Sequence, residues 1–169
     1  MTALVIDVRK GRPSDAGSIA DVHAAAWREA YSGVIPALAL ERMIVRRAAP
    51  WWAEVAKKGN GLLVLDVGGK VAGYTTFGAA RTRSRATVAE IQEFYLAPEY
   101  QGIGLGSRLF AGAMKIIRAQ GYPRLVIRAL ADNDRATRFY ERRGGRLVAR
   151  SEETLGGRAL PCLWFEFKV

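Results

Sequence analysis

A chain of 169 residues, half of them hydrophobic, suffices for one domain with one sizeable core, and it has no apolar tract of about 18 residues that would read as a membrane span. Its 26 lysines and arginines against 16 aspartates and glutamates give a net charge of +10, which favours polyanionic or phosphorylated ligands, although the basic residues are spread along the chain and form no block. The single cysteine, Cys162, excludes an intramolecular disulfide and points to a reducing cytoplasm, and the opening Met1-Thr2-Ala3-Leu4-Val5-Ile6-Asp7, with an acid and no basic leader, is not expected to be a signal peptide.

In chain order, the alternation over residues 4–8 predicts a strand. Pro13-Ser14-Asp15 supplies helix-start chemistry, with Ser14 or Asp15 as cap. The helix runs to about Tyr31 and carries Ile19, Val22, His23, Ala26 and Trp27 at helical spacing. Ser32-Gly33 breaks it. A second helical region covers residues 36–48, Pro50 interrupts or ends it, and residues 51–58 read as one or two further turns. Residues 61–67 and 70–78 read as strands joined by a tight turn at Gly68-Gly69. A basic loop, Arg81-Thr82-Arg83-Ser84-Arg85, leads to a fourth strand over residues 87–96, which Pro98 ends. Residues 106–120 form a predicted helix with Leu105, Leu109, Ala113, Met114 and Ile117 on one side, stopped by Gly121-Tyr122-Pro123. A strand over 125–130 follows, then a helix over 133–143 with Asp132 or Asn133 near its cap and Gly144-Gly145 at its end. Two last strands, 146–151 and 159–168, meet at Gly156-Gly157. The crossover from Glu90 to Leu130 places the fourth and fifth strands parallel. With no repeats or linkers, residues 1–169 read as a single domain.

The stretch richest in chemistry is Phe94-Tyr95-Leu96-Ala97-Pro98-Glu99-Tyr100-Gln101-Gly102-Ile103-Gly104-Leu105-Gly106-Ser107. A strand ends, a glycine-rich loop turns and a helix begins. Glycine permits φ > 0 and lets a ligand approach the backbone. The first N–H groups of the helix lack intrahelical partners, and the positive end of the helix dipole points the same way. Together these suit a pyrophosphate, although a purely structural tight turn has the same composition. A Walker loop fails, because Gly106-Ser107-Arg108 stands where Gly-Lys-Ser/Thr is needed. A dinucleotide fingerprint fails too, because its third glycine would fall on Ser107 or Leu109.

Gln101-x-x-Gly104-x-Gly106, preceded by Tyr95-Leu96-x-Pro98, resembles the acetyl-CoA loop of the GNAT superfamily of N-acetyltransferases. Asn133-x-x-Ala136-x-x-Phe139-Tyr140-x-x-x-Gly144 resembles that superfamily's next helix. The likeness covers residues 60–168 well and the N-terminal helices loosely. It implies an α/β fold with a mixed, mostly antiparallel central sheet of about seven strands, about four flanking helices, and a parallel, splayed strand pair at the cofactor site. Residues 60–168 would form the cofactor-binding core and residues 1–59 the acceptor side. Acetyl-CoA would be the co-substrate, and the acceptor a primary amine of a small molecule or peptide. The backbone N–H groups of Gln101, Gly102, Ile103, Gly104, Leu105 and Gly106, with Ser107, would bind the pyrophosphate. Backbone groups around Phe94, Tyr95 and Leu96 would pair with the pantetheine arm like an added strand. Asn133 would hydrogen-bond the cofactor, Ala136 would leave room for it, and Tyr140 would stand near the sulfur. Gly145 departs from the pattern, where a Phe commonly stands, and is expected to loosen the packing at the start of the sixth strand.

Acetylating an amine moves two protons: the amine loses one and the thiolate gains one. Glu90 is the candidate base. It stands eleven positions before Gln101, an offset at which some members of that superfamily carry a catalytic glutamate. Desolvation in a cleft would raise a carboxylate in the useful direction. Strand alternation puts Glu90, Gln92, Phe94 and Leu96 on one face and Glu93 on the other. An ion-paired structural carboxylate is the competing reading. Tyr140 is the candidate acid, against a core tyrosine bonded to a backbone carbonyl. His23, the only histidine, reads as a packed helix residue, with a role as base the alternative.

No cluster of His, Cys, Asp and Glu has metal-ligand spacing, so no metal is expected. Cys162 reads as packed. Trp27, Tyr31, Trp51 and Trp52 would form either an apolar wall for the acceptor or plain core. Arg81, Arg83 and Arg85 would either capture an anionic group of the acceptor or stay solvated. Two further readings stand beside the small-amine enzyme: a non-catalytic acyl-CoA-binding module, and an acetyltransferase acting on RNA or a ribosomal protein, which the charge suggests. A monomer or homodimer is expected, with no membrane partner and nucleic acid as the minor alternative.

Overall fold

Apolar alternation and its breakers resolve into seven strands and five α-helices in a computed structural model, which describes residues 3–59, 61–81 and 87–169. The elements are β1 (Ile6–Lys10), α1 (Ala16–Tyr31), α2 (Ala37–Arg46), α3 (Ala49–Lys57), β2 (Leu62–Val67), β3 (Lys70–Ala79), β4 (Val88–Leu96), α4 (Leu105–Ala119), β5 (Arg124–Leu130), α5 (Asp134–Arg142), β6 (Arg146–Leu155) and β7 (Arg158–Lys168). They form one sheet in the order β1-β2-β3-β4-β5-β7-β6. Every neighbouring pair is antiparallel except β4 and β5. The mixed, mostly antiparallel sheet with one parallel pair is therefore the architecture expected, with five helices in place of about four.

Local chemistry accounts for most of the departures. Of the two expectations for Pro50, the second helix ends before it, at Arg46, and Pro50 does not interrupt a continuous helix. It stands in the first turn of α3, where its missing N–H costs no hydrogen bond, and so opens a separate helix. Asp15 sits before α1 but does not cap it with its side chain. Its carboxylate instead takes two hydrogen bonds from the Arg9 guanidinium, at 2.9 and 3.0 Å, and one from the Arg12 N–H at 2.8 Å. This holds the carboxyl below the usual range, with the Arg9 bonds the largest cause. At Gly145 a Cβ would come within 2.7 Å of both the Phe167 ring and the Tyr140 carbonyl, so the phenyl group from β7 occupies the space beside it, while Leu147 and Val148 at the start of β6 stay exposed.

The core lies on both faces of the sheet. On one, Leu105, Leu109, Ala113 and Ile117 of α4 pack on Leu63, Leu65, Phe77, Ile91 and Ile127. On the other, Ile19 and Val22 of α1 and Trp52 and Ala56 of α3 pack on Leu62, Val64 and Tyr74.

One irregularity in β4 decides which face its carboxylates use. Thr76 pairs with Glu93, but the next residue of β3, Phe77, pairs with Ile91, so Gln92 is an extra residue. Such a bulge reverses the alternation across it. Contrary to the simple alternation, Glu90 (opposite Gly78) and Glu93 (opposite Thr76) share the face of Tyr74, under α1 and α3. Ile91, Phe94 and Leu96 face α4 instead.

Candidate active site

β4 and β5 pair only from Val88 opposite Arg124 to Ile91 opposite Ile127. Beyond that point β5 keeps its other neighbour, β7, as far as Leu130, while β4 runs on to Leu96 without it. The strands splay, and one edge of β4 over residues 92–96 opens on a cavity of about 820 Å³. That volume is in the range of small-molecule and cofactor sites. Gln92, Phe94, Tyr95 and Leu96 line it from β4, and Ala26, Glu29, Ala30 and Tyr31 line it from α1. The glycine loop contributes Gln101, Gly102, Gly104, Gly106 and Ser107. Asn133, Ala136 and Tyr140 complete the set of residues that the sequence motifs single out.

The loop has the conformation its glycines allow. Gly104 is the N-cap of α4 with φ 85°, and Gly102 has φ 77°. A Cβ on either would meet nothing within 4 Å, so the space before the helix N-terminus is open. Gly106, inside the helix, packs closely, since a Cβ would approach the Phe139 ring to 3.2 Å and the ring would have to shift. The Ile103 side chain is 66% exposed and Leu105 is buried in the α4 core, which leaves these two only backbone to offer a ligand. The Gln101 side chain donates to the Leu96 carbonyl at 2.9 Å and accepts from the Arg135 guanidinium. It therefore ties together the end of β4, the loop and α5. Asn133 caps α5, accepting the Ala136 N–H at 3.2 Å.

Tyr140 is buried among Phe94, Phe139, Phe165 and Phe167 and still borders the cavity. Burial, and then Tyr31, push its phenol up, so it is protonated at neutral pH. Glu90 is half-buried, accepts the Arg81 N–H at 3.4 Å and lies outside the cavity wall. His23 is fully buried, and burial, aided by Arg47, lowers its pKa to about 4. Cys162 is buried, as expected of a packed thiol. Trp52 is core. Trp27 packs on His23, Tyr31 and Tyr95, and Trp51 is half-exposed beneath the Arg47 guanidinium. Arg83 and Arg85 lie outside the described residues.

Sequence reasoning missed two sets of residues. Arg128, Arg135, Arg138, Arg142 and Arg143 line the cavity and outnumber its acids, Glu29, Asp132 and Asp134. Three of these arginines, at 135, 138 and 142, fall at helical spacing, a stripe that could have been read. The second set is Glu93 with Arg47. The bulge hid Glu93, and Arg47 lies 46 residues away in sequence. Among the described residues no group of three or more His, Cys, Asp or Glu could hold a metal ion, and no helix is long and apolar enough to cross a membrane.

Comparison with known proteins agrees with this geometry. An uncharacterized N-acetyltransferase, YuaI, from Bacillus subtilis is 26% identical over 153 residues, covering 90% of this chain and 87% of its own. The crystal structure of the PaiA N-acetyltransferase from Thermoplasma acidophilum, in complex with coenzyme A, superposes with a TM-score of 0.78. It is 20% identical and covers 98% of this chain and 99% of its own. The structure of YncA, a putative acetyltransferase from Salmonella typhimurium with its cofactor acetyl-CoA, gives a TM-score of 0.72 at 19% identity, over 97% of this chain and 94% of that one. The family model for the acetyltransferase (GNAT) family matches residues 21–145, and the chain belongs to that family.

Proposed function

We propose that this chain moves an acetyl group from acetyl-CoA to the primary amine of a small molecule or peptide by direct attack. The observation that carries the reading is the splayed β4–β5 pair, open on a cavity that holds the glycine loop of α4 and five arginines. A long, polyanionic thioester fits these features. Its pyrophosphate suits the N–H groups from Gln101 to Gly106, with Ser107, and its pantetheine arm suits the unpaired edge at residues 94–96. Asn133 and Ala136 border that arm. Residues 60–168 form the cofactor-binding core, and residues 1–59 cover the acceptor. Relatives of this fold solved with coenzyme A and acetyl-CoA support the assignment.

The co-substrate supplies an acetyl group already activated as a thioester. This chain supplies proton transfer and alignment. A carboxylate on the helix-covered face of β4 receives the amine's proton, and Glu90 is the residue that the family resemblance assigns. Tyr140 protonates the departing thiolate, and its burial keeps that proton in place until the sulfur needs it. The site of action in this reading is the cytoplasm, and the enzyme is a monomer or homodimer.

Thiol release from acetyl-CoA, measured across amino acids, their amides, alkyl amines and short peptides, tests the proposal. We expect amine-dependent release at least roughly 100-fold above buffer. Thermal stabilisation by acetyl-CoA without release for any amine would assign a non-catalytic acyl-CoA-binding module instead. The net charge of +10 favours a second reading, with RNA or a ribosomal protein as acceptor. RNA binding that weakens steeply with salt, or acetylation of a ribosomal protein where small amines fail, would establish it.

A further inference from the structure

β6 is one of the two edges of the sheet and is ten residues long. Glu153 and Leu155 are half-buried; its other residues are exposed, among them Leu147 and Val148 at 41% and 44%. Such an edge offers a row of unpaired N–H and C=O groups to another strand. One bulge, at Val148, interrupts its register with β7. From Ala149 opposite Trp164 to Leu155 opposite Arg158 the pairing is regular. The opposite edge, β1, has only five residues, and its Arg9 is already held by Asp15 and Asp66.

Over the regular stretch of β6 the side chains alternate. Ser151 accepts the Trp164 indole N–H at 3.0 Å, Glu153 pairs with Arg128 at 3.0 Å, and Leu155 packs with the cluster under α1 and α2. These three share one face. Arg150, Glu152 and Thr154 point to the other. The nearby ion pairs use Glu153 and Glu166 and leave Arg150 and Glu152 without a partner among the described residues.

This order of charges is complementary to itself. A two-fold axis perpendicular to the sheet, beside the edge, lays two copies of β6 antiparallel and keeps each face on its own side. Residues directly opposite then share a face, so only every second register is open. With Ser151 opposite Ser151 of the second copy, Arg150 of each copy meets Glu152 of the other. Moving the axis to Arg150 or to Glu152 sets like charges opposite, which is destabilising. The run Arg150-Ser151-Glu152 therefore favours one register and disfavours its neighbours.

We infer that the chain forms a homodimer by antiparallel pairing of β6 with β6 of a second copy about a two-fold axis at Ser151, so that one sheet runs through both copies. A second copy fits this edge because its charges answer those already there, whereas a nucleic acid would be repelled by Glu152 and Glu153. No residue of β6 lines the cavity, so the pairing stands apart from the acetyl-transfer chemistry.

Sedimentation of the full chain over a range of concentrations tests the pairing. It compares wild type, Arg150→Glu, Glu152→Arg, the double variant, and an equimolar mixture of the two single variants. Wild type should reach twice the chain mass by roughly 100 μM. Each single variant sets like charges opposite at both contacts and should raise the dimer Kd at least roughly 10-fold. The double variant restores opposite charges and should recover the wild-type Kd. The mixture should form dimers containing one copy of each, because both contacts are then complementary. Ser151→Cys under mild oxidation should crosslink two copies, since Cα atoms opposite in such a pair lie about 4.5–5.5 Å apart. The buried Cys162 should leave the wild type uncrosslinked. Circular dichroism checks that each variant folds. A wild type still monomeric at roughly 100 μM overturns the inference, whatever else then covers the edge. A dimer whose Kd the single variants leave unchanged, or a mixture that stays monomeric, overturns it too. Should a charge-reversed chain not fold, a Ser151→Cys protein that does not crosslink overturns it.

Discussion

The two faces of the sheet at β4 are built from different materials. Toward α4, Ile91, Phe94 and Leu96 meet Leu105, Leu109, Ala113 and Ile117, a surface that asks only for volume and fit. Toward α1 and α3 the same strand presents Glu93 and Tyr95 to His23, Trp27, Tyr74 and Arg47. Three ring nitrogens there, His23 Nε2, Trp27 Nε1 and Trp52 Nε1, are buried without a partner among the described residues. Apolar burial stabilises the fold outright, whereas buried polar groups must recover their lost hydration through partners. A face that keeps a carboxylate, an imidazole and indole N–H groups inside the protein gives up stability that leucines would have supplied. Such concentrations of perturbed groups gather where chemistry is done. We read the apolar face as scaffold and the polar face as the acceptor side, with the cavity along the strand edge between them.

Tyr140 gives the largest expected effect and tests that division where it is sharpest, because its ring packs in the apolar α4 cluster and still borders the cavity. Tyr140→Phe retains the ring that packs on Phe94, Phe139, Phe165 and Phe167 and removes only the proton donor. The rate should fall roughly 100- to 10,000-fold, with acetyl-CoA affinity and melting temperature held. An unaltered rate would remove Tyr140 from the mechanism and leave it as scaffold.

A smaller effect should appear as acid sensitivity of the polar face. Unfolded, His23 takes a proton near 6.5; folded, it does so only near about 4. Its neutral form is therefore the one the fold accepts. The contribution is complete above the unfolded value and is lost as pH falls from 6.5 toward about 4, at most about 3 kcal/mol. Glu93 acts in the opposite sense, since burial raises its pKa and makes the folded state the better proton binder. The His23 effect should therefore be read as the difference between wild type and His23→Gln in melting temperature against pH, with the variant flatter. Parallel curves would mean that His23 is protonated as readily folded as unfolded.

The sequence discloses these two faces unequally. The glycine loop was legible because its requirement is local: φ > 0 at Gly102 and Gly104 and free N–H groups at a helix start need no knowledge of the rest of the chain. The α4 stripe was legible for the same reason. The polar face was not, because one extra residue at Gln92 turns Glu93 over, and nothing in Ile91-Gln92-Glu93 marks a bulge. Arg47 and Glu93 meet only through tertiary packing, across 46 residues. What fills the space beside Gly145 was hidden in the same way, because the ring belongs to Phe167, on a different strand.

The central claim is that the loop before α4 receives the pyrophosphate of acetyl-CoA. The most direct measurement is the affinity for coenzyme A of Gly104→Leu beside Gly121→Leu, read by calorimetry and by thermal shift. Both glycines have φ near 85° with open space at the Cβ position, and only Gly104 borders the cavity. Each substitution should carry the same backbone strain, about 1–2 kcal/mol. At a coenzyme A concentration of 100 times Kd, the wild type and Gly121→Leu should both gain about 2.7 kcal/mol of stability, and Gly104→Leu should gain none. A folded Gly104→Leu that binds coenzyme A with wild-type affinity would contradict the account.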